Sequence, residues 1–223
     1  MNEAACYISS EFVEGFFVNA LLNEALTANE AASVTRVPLK QVHRIIDAGL
    51  LAGRVETRKG SRVIIGSGLI GLRLAYLMAD TLTPKARKRI VGEAILTNST
   101  KAVNEDALTV TIAPIATEVE AGLEKLEKAK ANVTIDPDVM GGVPCISGTR
   151  VLVHDVGDFV ANGDSTDAIL EAYPQLSANA IELAAVYALA YPRRGRPSGK
   201  AAWQKTAPTK SRTIRLEDLP SAS

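Results

Sequence analysis

Lys40, Gln41 and Arg44 fall on one side of a short segment whose other side carries Leu39, Val42, Ile45 and Ile46. At helical spacing the aliphatic residues turn inward and the three polar ones outward, with His43 at the edge. An exposed helix face of Lys, Gln and Arg can hydrogen-bond base edges and phosphates in a major groove. A second set follows closely: Arg54, Arg58, Lys59 and Arg62, spread over residues 53–65. Their chemistry is contact with a phosphate backbone. A third set, Asp136, Asp138, Arg150 and His154, invites a catalytic or metal-binding reading. Asp-Pro-Asp is common turn chemistry, however, and one His without a second ligand is a poor metal site. With no acid–base pair or activated nucleophile, the chain is expected to be no enzyme and to use no metal or cofactor.

The elements that must position the first two sets are legible. Thr27-Ala28-Asn29-Glu30 is a capping box that opens a helix over 28–35, and Val37-Pro38 breaks it. Pro38 suits the first turn of a second helix running to about Ala48, which Gly49 ends. Two short helices around a three-residue turn are the pattern of a helix-turn-helix. Residues 53–65 then read as strand, turn at Lys59-Gly60, strand. Such a hairpin is either a solvated surface feature or a wing; its place after the helix pair favours the wing.

Two helices follow. Ser67 is expected to cap 69–78, and Thr83-Pro84 opens 85–96. The latter carries Lys85, Arg87, Lys88 and Arg89, either for backbone phosphates or as a solvated face. Ahead of everything, Phe12, Val13, Phe16, Phe17, Ala20, Leu21 and Ala25 outline an amphipathic helix capped by Ser9 or Ser10. It packs on its own domain or serves a dimer or partner contact.

Residues 97–106 are polar and read as a boundary, 108–112 as a strand, and 115–130 as a helix with a thin apolar stripe of Val119, Leu123 and Leu126. So polar a helix suggests a connector. From Val133 come a short strand, a glycine-rich loop, a two-part strand over 145–153, and helices at about 154–161, 166–172 and 178–191. Asp164 or Ser165, and then Ser177, sit where caps belong. The last helix is apolar on nearly every side, which predicts burial in a dimer interface rather than placement in DNA.

The 25 bases and 25 acids cancel, but they are segregated. Residues 1–35 carry five acids and no base, 36–92 a net +9, 93–182 a net −10, and 183–223 a net +6. Two basic segments suit two anionic partners. No run reaches the roughly 18 apolar residues of a membrane span. Glu3, Glu11 and Glu14 without an early Lys or Arg do not match a signal peptide. Cys6 and Cys145 lie far apart, which suits a reducing cytoplasm, the expected location.

The run Ile135-Asp136-Pro137-Asp138, Gly141-Gly142-Val143-Pro144, Ile146, Gly148-Thr149-Arg150, Val153, Gly163, Ser165, Ile169-Leu170, Tyr173-Pro174-Gln175-Leu176 resembles domain of unknown function 433 over roughly residues 133–190. That family is represented among VapB-type antitoxins of type II toxin–antitoxin pairs. The whole layout, with a MerR-like winged helix-turn-helix in front, is similar to the larger VapB proteins. The resemblance implies a homodimer that binds a VapC-type PIN-domain ribonuclease and represses its own operon by binding operator DNA. The alternative is a stand-alone MerR-like regulator without a toxin.

After Tyr191-Pro192 the pattern collapses into Arg193-Arg194-Gly195-Arg196, with no acid until Glu217. Composition alone allows a solvated basic tail. Trp203 and the spaced Ile214, Leu216 and Leu219 are anchors that such a tail does not need. PIN-domain ribonucleases, as the resemblance implies, hold a metal in a cluster of carboxylates. Arg212 and Arg215, with Arg193, Arg194 and Arg196 as alternatives, could pair bidentately with those acids. Trp203, Lys205, Lys210 and the aliphatics would fix the register. The expected fold is mostly α with short β hairpins: a winged helix-turn-helix (1–96), a linker strand and connector helix (97–132), a small helical module expected to dimerise (133–192), and an extended toxin-binding arm (193–223).

Overall fold

A computed structural model describes residues 25–51, 53–96, 102–105 and 108–193. Within these the protein is mostly helical with short antiparallel hairpins, as expected. Strand β1 (Ala25–Thr27) leads into α1 (Ala28–Thr35). The capping box forms: the Glu30 amide donates to Thr27 Oγ1, and the Thr27 amide donates to Glu30 Oε2 at 2.8 Å. Arg36 then adopts left-handed backbone, φ 53°, and turns the chain into α2 (Leu39–Asp47). Val42 and Ile45 of α2 pack with Ala31, Ala32 and Val34 of α1 in one core.

Strands β2 (Val55–Arg58) and β3 (Ser61–Ile65) form the hairpin. Arg58 pairs with Ser61 across a two-residue loop, Lys59-Gly60, with both residues at positive φ. That is the hairpin turn whose twist matches its strands. Strand β1 adds to the other edge of β3, which is therefore central in the order β1-β3-β2. Helix α3 (Gly68–Leu77) is almost wholly buried, and α4 (Pro84–Leu96) covers it with Ile90, Val91, Ala94 and Ile95. Ser67 is not a cap: its hydroxyl donates to the Ile95 carbonyl and ties the start of α3 to the end of α4. Residues 102–105 form a strand, β4, that the sequence does not announce; it pairs with β5 (Leu108–Thr111).

Helix α5 (Ala113–Ala131) is a central packing element rather than a connector. Ile115, Ala116, Val119, Leu126 and Ala129 are buried. Its neighbours are α1, α3 and α8 (Ala178–Ala190). The alanines widen an aliphatic stripe that is thin when only large residues are counted. At Gly122 the helices touch through backbone: a Cβ there would lie 2.2 Å from the Val34 carbonyl oxygen.

The remaining elements are a two-residue strand pair, β6 (Val133–Thr134) with β7 (Cys145–Ile146), then α6 (Val153–Asn162), α7 (Thr166–Ala172) and α8. Ser165 and Ser177 cap α7 and α8 through their side chains. A second core gathers Ile146, Val151, Val153, Val156, Ile169, Leu176, Ile181 and Ala184. Helix α8 packs within the chain against α6, α5, α1 and α7, which bury Ile181, Leu183, Ala184 and Ala190 and leave Leu189 exposed. The described residues up to Pro192 belong to one compact unit, and a second begins at Arg193. The expected divisions after residues 96 and 132 are therefore changes of architecture within one unit.

Polar bonds reinforce this continuity. The Tyr191 hydroxyl donates to Glu30 Oε1 at 2.6 Å, and the Tyr191 carbonyl lies 2.7 Å from His154 Nε2. Ser33 donates to the Val186 carbonyl, and Lys125 pairs with Glu182. Burial, then the hydrogen bond to Glu30 and its negative charge, hold the Tyr191 phenol above its ordinary range. Burial raises Tyr187 as well. A phenol with a raised folded pKa contributes stability that is complete below the unfolded value of 10.0 and declines at higher pH. Urea melts in alkaline buffer should thus show steeper loss above pH 10 for the wild type than for Tyr191→Phe. Parallel losses would mean the phenol is solvated.

Candidate nucleic-acid interface

Helix α2 divides into strips with different neighbours. Val42 and Ile45 are buried, whereas Lys40 and Arg44 are exposed. His43 and Asp47 meet the hairpin: Arg62 Nη1 on β3 donates to Asp47 Oδ1 at 2.5 Å, and Arg62 Nη2 lies 3.4 Å from His43 Nδ1. Gln41 lines a cleft on the other side, with Arg44, Ala48 and residues of α3 and α4. The periodicity that put Lys40, Gln41 and Arg44 outward agrees with their exposed or half-buried positions, whereas Leu39, expected inward, is exposed at the start of the helix.

The hairpin cations do not all remain available. Arg58 pairs with Glu56 of its own strand at 2.9 Å, and Arg62 is engaged with α2. Arg54 emerges half-buried before β2, its stem against Gly68, where a Cβ would approach Arg54 Cβ to 2.8 Å. Lys59 sits exposed at the hairpin tip. Of the expected contact residues, Lys40, Arg44, Arg54 and Lys59 carry charge without an ion-pair partner among the described residues. Asp47 escaped the sequence reading. Its only signal was an acid one turn after His43 in an otherwise basic stretch.

The downstream set is not assembled into a site. Asp136 Oδ1 accepts the Asp138 amide at 2.9 Å, closing the turn, while buried His154 is bonded to the end of α8. Among the described residues no group of three or more His, Cys, Asp and Glu could hold a metal ion. No helix among them is long and apolar enough to cross a membrane. The Phe-rich segment before residue 25 lies outside the described residues, as do Arg194, Arg196, Trp203, Lys205, Lys210, Arg212, Ile214, Arg215, Leu216 and Leu219. Arg193 is the last described position.

Residues 133–188 match the family described as protein of unknown function (DUF433). Uncharacterized protein y4eO of Sinorhizobium fredii (strain NBRC 101917 / NGR234) is 34% identical over 186 residues, covering 78% of this chain and 84% of that protein. No solved structure matches. A similarity of that span reaches well beyond 133–188 into the helices and hairpin before it. The chain therefore belongs to the same family as y4eO, and in this chain the DUF433 segment follows the helices and hairpin that the similarity also spans.

Proposed function

We propose that this protein is the antitoxin of a type II toxin–antitoxin module. In this reading α2 and the β2–β3 hairpin bind operator DNA and repress the operon, and the basic arm inhibits a VapC-type PIN-domain ribonuclease. The protein acts in the cytoplasm as a homodimer and catalyses nothing itself. The observation that carries the DNA half is a set of cations, Lys40, Arg44, Arg54 and Lys59, that have no ion-pair partner among the described residues and lie on α2 and on or just before the hairpin. The toxin half is supported by the resemblance of residues 133–190 and by the +6 charge of the tail. A stand-alone MerR-like regulator shares the DNA half and lacks the toxin.

The test is coexpression with the product of the adjacent gene. The full chain should copurify with a ribonuclease and silence it. A chain ending at Pro192 should keep duplex binding and lose inhibition by about two orders of magnitude or more, the scale of several desolvated Arg contacts. Equal inhibition by the shortened chain would refute the arm. Failure of any ribonuclease to bind would leave the regulator.

Arg62 has a different role from the free cations: it tethers the hairpin to α2. Both partners are exposed, so Arg62→Ala should change stability by less than about 1 kcal/mol. Asp47→Ala is the sharper variant. It removes a negative charge, yet duplex binding measured by fluorescence anisotropy should weaken because the tether is gone. Tighter binding would show that Arg62 acts as a free charge instead.

A further inference from the structure

We propose that the cleft between α2, α3 and α4 is an anion site that takes a phosphate group. The cleft has a volume of about 250 Å³. Gln41 and Arg44 of α2, Tyr76 of α3 and Arg87 of α4 reach it, between small apolar walls that include Ala48 and Ala75. No Asp or Glu lines it among the described residues. Arg87 is half-buried, and its Nε is buried with no hydrogen-bond partner among the described residues. Arg44 likewise has no ion pair among the described residues.

Two costs coincide here. A buried N–H without an acceptor is costly, and more so on a charged group. Two guanidinium groups lining one cleft also repel each other. An anion between them removes both costs at once. Buried orphan donors in native proteins call for such an explanation. Guanidinium forks match the oxygens of phosphate. Tyr76 of α3 and Gln41 of α2 add residues with neutral donor groups to the same lining. Several donors on three helices suit a tetrahedral anion with several acceptor oxygens better than a planar carboxylate, which one arginine satisfies.

The phosphate has two possible sources. One is the backbone of a duplex lying across α2, which rests on the DNA-binding reading. The other is a free phosphate or phosphate ester, which does not. The test follows the Arg87 Nε–H signal by NMR in the full chain. Inorganic phosphate is titrated against chloride at equal ionic strength, and a short mixed-sequence duplex is titrated separately. Phosphate should shift the signal saturably and raise the melting temperature. Arg87→Gln should weaken phosphate binding about tenfold, the loss of one charged hydrogen-bonding partner. Tyr76→Phe keeps the packing and should weaken it severalfold, should Arg87→Gln fail to fold.

If Arg87→Gln also weakens the duplex about tenfold and lowers its salt slope by about one, the backbone is the source. If phosphate binding is lost while duplex affinity holds, a free anion is the source. A wild-type chain that binds phosphate but no duplex refutes the DNA reading and leaves the site standing. The proposal is overturned if neither phosphate nor duplex shifts Arg87 saturably, or if both variants bind phosphate as the wild type does.

Discussion

Gly122→Ala should destabilise the protein by about 2 kcal/mol or more, although alanine is the better helix former by about 1 kcal/mol. The added Cβ would stand 2.2 Å from the Val34 carbonyl oxygen and 3.0 and 3.2 Å from its carbonyl carbon and Cα. These are backbone atoms of α1, so no rotamer change relieves the clash. Helices α1 and α5 must move apart, which loosens Val34, Val119 and Leu126 together. Overpacking of this kind typically costs 1–3 kcal/mol, occasionally more, on the usual rough scale. Gly92 in α4 supplies the control, because nothing lies within 4 Å of a Cβ built there. Gly92→Ala should therefore stabilise by about 0.5–1 kcal/mol. Urea denaturation of the two variants reads both signs in one experiment. If the two alanines shift the midpoint in the same direction, α1 and α5 do not approach as described.

The second large effect is on duplex binding. Lys40→Ala combined with Arg44→Ala should reduce affinity by two orders of magnitude or more. A base contact made by such a side chain is worth about 1–3 kcal/mol, and each phosphate contact removed takes about 0.9 from the salt slope. Both side chains are exposed, so circular dichroism and the melting temperature should barely change. Arg58→Ala is the comparison. Its charge is already partnered by Glu56, and its loss should cost several times less. Unchanged binding by the double variant would place any nucleic-acid interface elsewhere on the protein. A deficit equal to that of Arg58→Ala would reduce the interface to general electrostatics.

Much of the fold was legible because it is written in short-range chemistry. Thr27 with Glu30, Ser165 with Ala168 and Ser177 with Ala180 are bonds between residues three apart, and the sequence announces each of them. Lys59-Gly60 states its turn equally plainly, since two residues at positive φ make a tight hairpin. Ser67 misled the same reasoning. A serine before an apolar run is a cap by pattern, but its hydroxyl found a carbonyl 28 positions away. Helix α5 misled it differently. Its charged outer face dominates the composition, whereas Ala116, Gly122 and Ala129 permit close approach on the inner face.

At the candidate interface the inventory is local: a helix with Lys40, Gln41 and Arg44 on its outer side, a basic hairpin behind it, and charge segregated along the chain. Periodicity and capping act over one or two turns, so they survive without knowledge of the rest. Which of those charges find ion-pair partners among the described residues depends on the folded arrangement. Arg62 and Asp47 are 15 positions apart, and Tyr191 reaches Glu30 across 161. The folded arrangement also brings α8 against α6, α5, α1 and α7, and Arg44 and Arg87 to one cleft. Pairing energies depend on distance and burial in space, and neither is encoded by separation along the sequence.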